Sequence, residues 1–183
     1  LQNVVSGELN LLGASSGLMT KINDFIKENN YNVKKDLHVI CEELSERIPI
    51  RQKTGGLCIK SSMFRECSND AMTNEFYCAY GVCPNIFHFY YMADLSYRQA
   101  KELLETIEIN QNRGHLRQAQ KELNMLKYIL KNKLKPEIDE LLKVLKQQGI
   151  HAILKKYPDL IEIIENLDTI QKEMEVWKTM KIS

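Results

Sequence analysis

Four cysteines fall within one short stretch of this chain, Cys58, Cys67, Cys78 and Cys83, and a fifth, Cys41, stands apart from them. Their spacing is Cys-x8-Cys-x10-Cys-x4-Cys. Thiolates are soft ligands, and four of them close a tetrahedron around a structural zinc ion. The interval from Cys78 to Cys83 has the length of a zinc loop. Its "YGVCP" sequence supplies a glycine and a proline where a chain must wrap tightly. The first interval is wider than a common zinc knuckle. His88 and Cys41 are further donors, and spacing leaves open whether either joins.

Two disulfides would use the same sulfurs in an oxidising compartment. They would leave one cysteine over, and a chain of 183 residues buries a core without staples. A third reading makes the cysteines small buried hydrophobes without mutual contact. The ligand rules favour structural zinc on Cys58, Cys67, Cys78 and Cys83. A four-thiolate set fills the coordination sphere, so such a metal holds shape and has no open position for hydrolysis.

Helices must flank this segment. "GLMTKINDFIKENN" puts Leu18, Ile22, Phe25 and Ile26 on one helical face. In "KKDLHVICEELSERI" Asp36 is the expected N-cap, Leu37, Ile40, Cys41 and Leu44 form the apolar stripe, and Pro49 stops the helix. Residues 1 to 16 read as an irregular lead-in with about one helical turn. Residues 50 to 92 lose the helical period and carry many aromatics, which predicts short strands and loops. From Asp94 the helical pattern returns. "DLSYRQAKELLETIEIN" and "HLRQAQKELNMLKYILKNKL" flank a polar loop at Gly114, which predicts an antiparallel hairpin. Leu116, Ala119, Leu123, Leu126 and Leu130 are its expected seam. Pro136 is expected to open a new helix that Gly149 closes, and Pro158 another.

The predicted fold is therefore mainly α: a helical hairpin or bundle with a small irregular cysteine-rich zinc-binding insert. Three segments are expected: 1–49 helical, 50–92 the zinc module, and 93–183 the hairpin and C-terminal helices. No stretch approaches the roughly 20 apolar residues of a membrane span, and no basic region followed by an apolar run marks a secretory signal. A cytoplasmic location is expected. The first residue is Leu, as in a piece of a longer protein.

The segment from "GGLC" to the end of the hairpin, about residues 50 to 145, resembles the cysteine-bearing C-terminal region of transposon-encoded tyrosine recombinases and their companion proteins. The matching positions are Gly56 and Cys58, then Cys67, then Cys78, Gly81 and Cys83, with Phe87 or Phe89 behind them. The resemblance implies work on DNA during insertion or excision of a mobile element. In that family a tyrosine attacks the strand, while an arginine pair and a His-x-x-Arg motif stabilise charge on the phosphate. None of the histidines here, His38, His88, His115 or His151, opens such a motif. His115 with Arg117 comes nearest, at the start of a helix, and Tyr157 sits before Pro158 with no arginine set around it in sequence. There is also no phosphate-cradling glycine loop and no His-Glu-x-x-His. The chain is expected to be a non-catalytic module whose catalytic partner domain, if joined to it, lies upstream.

Net charge is only +1, so composition alone announces no nucleic-acid partner. Between Glu46 and Glu66 the local balance is +3. Arg51, Lys53, Lys60 and Arg65 there are candidate contacts to DNA phosphates. Arg113, Arg117, Lys121, Lys127, Lys131, Lys133 and Lys135 read more simply as an exposed helix face. The aromatics from Phe87 to Tyr91 could stack on bases, but packing the module is the simpler use. Expected partners are DNA through the full-length protein, a second copy or a recombinase. The alternative is a helical protein-interaction or oligomerisation module without nucleic-acid binding.

Overall fold

A computed structural model describes residues 1–13, 16–48, 50–53, 56–59, 83 and 85–182, with Ser16 and Lys53 placed by their backbone alone. The described chain is mainly helical and divides into two units, Leu1–Phe89 and Tyr90–Ser183. No helix among the described residues is long and apolar enough to cross a membrane.

The first unit holds α1 (Gln2–Val5), β1 (Leu12–Gly13), α2 (Ser16–Glu28), α3 (Val33–Arg47), β2 (Arg51–Lys53), β3 (Gly56–Cys58) and β4 (Ile86–His88). Leu18, Ile22 and Phe25 of α2 and Ile40 and Leu44 of α3 are buried, as their helical spacing predicts. The start of α3 differs from expectation. Asn32, not Asp36, is the N-cap, and its side chain accepts from the Lys34 and Lys35 amides. Asp36 instead accepts from the Asn32 amide at 2.7 Å. The cap pair is thus reciprocal, with both residues satisfying donors that the first turn leaves open. The helix stops at Arg47, ahead of Pro49, as predicted.

The four strands form one antiparallel sheet in the order β1-β4-β3-β2. Leu12 pairs with His88, Cys58 with Ile86, and Arg51 with Cys58. The N-terminal segment and the cysteine segment therefore share a sheet. Gly56 allows β3 and β4 to meet: a Cβ there would lie 2.7 Å from the Phe87 carbonyl oxygen and 2.8 Å from Ile86 Cγ2.

The second unit opens with a 3-10 turn at Tyr90–Met92. It continues through α4 (Ala93–Asn112), α5 (Leu116–Ile129), a π-helical turn (Leu130–Leu134), α6 (Lys135–Gln148) and α7 (Ile150–Lys156). A 3-10 turn at Pro158–Leu160, α8 (Ile161–Glu165) and α9 (Leu167–Thr179) complete it. α4 and α5 form the expected hairpin, with Gly114 at φ +73° in its tip. Ala100, Leu103 and Ile107 of α4 are buried, as are Ala119, Leu123, Leu126 and Ile129 of α5.

Two expectations fail here for identifiable reasons. Leu116 is not in the seam; it is exposed at the first turn, next to the hairpin tip. Pro136 does not open a separate helix. The chain stays helical from Leu116 to Gln148, and the π-turn lies immediately before the proline, with the Lys135 amide donating to the Leu130 carbonyl. A proline removes one helical donor and crowds the carbonyl four residues back, and a wider turn accommodates that without a break.

Candidate metal centre and basic surfaces

Cys58 and Cys83 are distant in sequence, yet they form one buried cluster with Ile86. The sheet brings them together. Cys58 ends β3 directly opposite Ile86 of β4, so their side chains share a face. The Ile86 amide donates to the Cys83 carbonyl at 3.2 Å, a tight turn that folds Cys83 back over the start of β4. Asn85 is held by its carbonyl, which accepts from the Ile59 amide at 3.1 Å. Its side-chain amide reaches the Cys83 sulfur at 3.9 Å. Cys58 and Cys83 both carry thiols.

Cys67 and Cys78 lie outside the described residues, as do Lys60 and Arg65. Among the described residues no group of three or more His, Cys, Asp and Glu side chains could hold a metal. Neither His88 nor Cys41 therefore completes a three-donor set with the cysteine pair. His88 is buried on β4, where its ring packs so close to Gly13 that a Cβ there would meet its Cδ2 at 3.1 Å. Cys41 is half-buried on α3. The pair fits a soft metal in chemistry: two cysteines in one buried cluster, with the Asn85 amide reaching the Cys83 sulfur. Thiolates in such a place need a cation to offset their charge.

Arg51 is half-buried on β2, opposite Cys58 and on the same face of the sheet. Lys53 pairs with Gly56 along the backbone. Of the four basic residues singled out beside the cysteines, Arg51 is the one whose side chain is described.

In the helical unit, the aromatics pack together. Tyr91 stacks on Tyr157 at 4.5 Å between centroids, and Tyr90 meets Tyr157 edge-on at 5.7 Å. Burial, then the neighbouring phenols of Tyr157 and Tyr91, push Tyr90 up to about 12. Burial and Tyr157 also raise Tyr91. A phenol used as a nucleophile needs the opposite shift. His115 and Arg117 are exposed at the start of α5.

One lysine of the presumed exposed face is misplaced by that reading. Lys133 is fully buried, its ammonium donating to Gln99 Oε1 at 3.4 Å. Desolvation lowers its pKa from 10.5, partly countered by Glu137. Its neighbours Lys127, Lys131 and Lys135 instead line a surface cleft together with Lys178, a residue that sequence gave no reason to join to them.

No protein-family model, curated protein or solved structure matches this chain.

Proposed function

We propose that this chain is a non-catalytic DNA-binding and assembly module of a site-specific recombination protein, braced by structural zinc. The observation that carries the metal reading is the burial of Cys58 and Cys83 in one cluster around Ile86. Zinc would be held by those two with Cys67 and Cys78, and would supply folding energy to the segment. The recombination reading rests on the resemblance of residues 50 to 145, and the Gly-tipped hairpin that follows the cysteines agrees with it.

Metal analysis with a thiol count tests the brace. One zinc per chain is expected, with thiols that react only after chelation and with binding lost in Cys58→Ser and Cys83→Ser. A metal-free chain whose cysteines are oxidised in pairs would sink it. Gel-shift with duplex DNA at low salt, where phosphate contacts are strongest, tests the partner. Absence of any shift there removes the DNA reading and leaves the alternative, a helical module that binds other proteins.

A further inference from the structure

Arg51, Cys58 and Ile86 form one row across three strands. Arg51 on β2 pairs directly with Cys58 on β3, and Cys58 pairs directly with Ile86 on β4. Directly opposed residues point to the same face of a sheet, with Cβ atoms about 5 Å apart. Cys58 therefore has an apolar neighbour on one side and a cation on the other. Cys83 belongs to the same cluster as Cys58 and Ile86. β2 is an edge strand, so Arg51 stands between the cysteines and the rim of the sheet. The arginine is half-buried, while Cys58 and Cys83 are each 6% exposed.

A zinc ion closed by four thiolates is an anion, because the four sulfurs outweigh the charge of Zn²⁺. Away from water, that excess charge is costly unless a cation or hydrogen-bond donors face it. Such outer partners hold the ligands in place and strengthen the site. The Asn85 amide reaches the Cys83 sulfur at 3.9 Å but carries no charge. Arg51 brings what the amide lacks. Its guanidinium is charged at every working pH, carries several N–H donors, and gives up its hydration more readily than an ammonium does.

We infer that Arg51 is the counter-charge of the zinc site, a positioning residue that strengthens the hold of the cysteines on the metal. The inference rests on the zinc reading above. The sulfurs bind the metal, and Arg51 acts on the sulfurs.

The test is competition for zinc between the full chain and a chromophoric chelator, at one fixed pH. Loss of an outer partner of a metal site typically weakens metal binding about 10–100-fold. Arg51→Gln should lose affinity in that range, and Arg51→Lys, which keeps the charge, should recover most of it. Arg51→Glu should bind zinc more weakly still. Gln and Glu have nearly the same size, so a role in packing alone predicts no difference between those two variants. Lys35→Gln removes an equal charge from the exposed side of α3 and should leave the affinity unchanged. Equal affinity in wild type, Arg51→Gln and Arg51→Glu overturns the inference while the zinc reading stands. An Arg51→Lys chain as weak as Arg51→Gln overturns it too, since the charge would then not be what matters. If the wild type holds no zinc, the inference and the zinc reading fall together.

Discussion

Asn110, in the last turn of α4, donates through its side-chain amide to both carboxylate oxygens of Glu122 on α5, at 3.1 and 2.9 Å. Gln118 adds a third donor to the same carboxylate at 2.9 Å. Glu122 is buried in the hairpin seam, so these bonds replace the water it gave up. They also fix the register in which the two helices meet. Asn110→Ala should lower stability by about 1–3 kcal/mol, the cost of leaving a buried acceptor short of donors. Glu122→Leu, which removes the charge and keeps the volume, should cost less than Asn110→Ala. Urea denaturation of the three proteins checks the order; equal losses would deny the pair its role.

Lys133 gives a second test, with a defined sign. Its folded pKa is lowered by desolvation. Between that lowered value and the ordinary 10.5, the unfolded chain holds a proton that the folded chain has released. Stability contributed by this residue therefore rises with pH across that window. Lys133→Met should abolish the rise and still destabilise, because it fills the space but leaves the buried Glu137 carboxyl without the ammonium beside it. Lys133→Ala should cost about 2–5 kcal/mol through the cavity it leaves. Melting temperature measured as a function of pH separates the two variants from wild type.

Tyrosines set the opposite trend at higher pH. Tyr90 is pushed up to about 12 by burial first, and Tyr97 to about 12 by burial and its 2.7 Å hydrogen bond to Glu173. Above about 10 an unfolded tyrosine loses its proton while these two keep theirs. Their stabilisation is complete below that pH and is lost as pH climbs toward 12. Ultraviolet titration of the phenolates should show a late-titrating set that includes these two, with one member fewer in Tyr97→Phe. A single transition for every tyrosine near 10 would contradict the burial seen here.

Gly56 tests the sheet that gathers the cysteines. With a Cβ only 2.7 Å from the Phe87 carbonyl, Gly56→Ala must push β3 away from β4. Such overpacking typically costs about 1–3 kcal/mol. Because Cys58 sits opposite Ile86 on these strands, the thiols of Cys58 and Cys83 should react with alkylating reagents faster in the variant under native conditions. Unchanged labelling rates would show that the strand pairing does not protect them.

Much of the helical framework was legible in the sequence. The stripes of α2, α3 and the α4–α5 hairpin follow a local period, and Pro49 and Gly114 act on their immediate neighbours. The cysteines advertised themselves by number and spacing, although Cys67 and Cys78 fall outside the described residues and only Cys58 and Cys83 can be placed. The α3 cap was missed because Asn32 and Asp36 are both good capping residues, and the choice depends on which amide each one reaches.

What the chain determined by itself were the elements whose energy is local: periodic faces, helix stops and turns. Tertiary structure decided which distant residues meet. The pairing of Leu12 with His88 and of Cys58 with Ile86 depends on strand register, which leaves no periodic trace in segments only two or three residues long. The fate of the lysines was decided the same way. A π-turn takes one more residue per hydrogen bond than an α-turn and so rotates every following side chain about the axis. That rotation, together with the packing of α4, α6 and α9, buries Lys133 and sets Lys127, Lys131 and Lys135 beside Lys178.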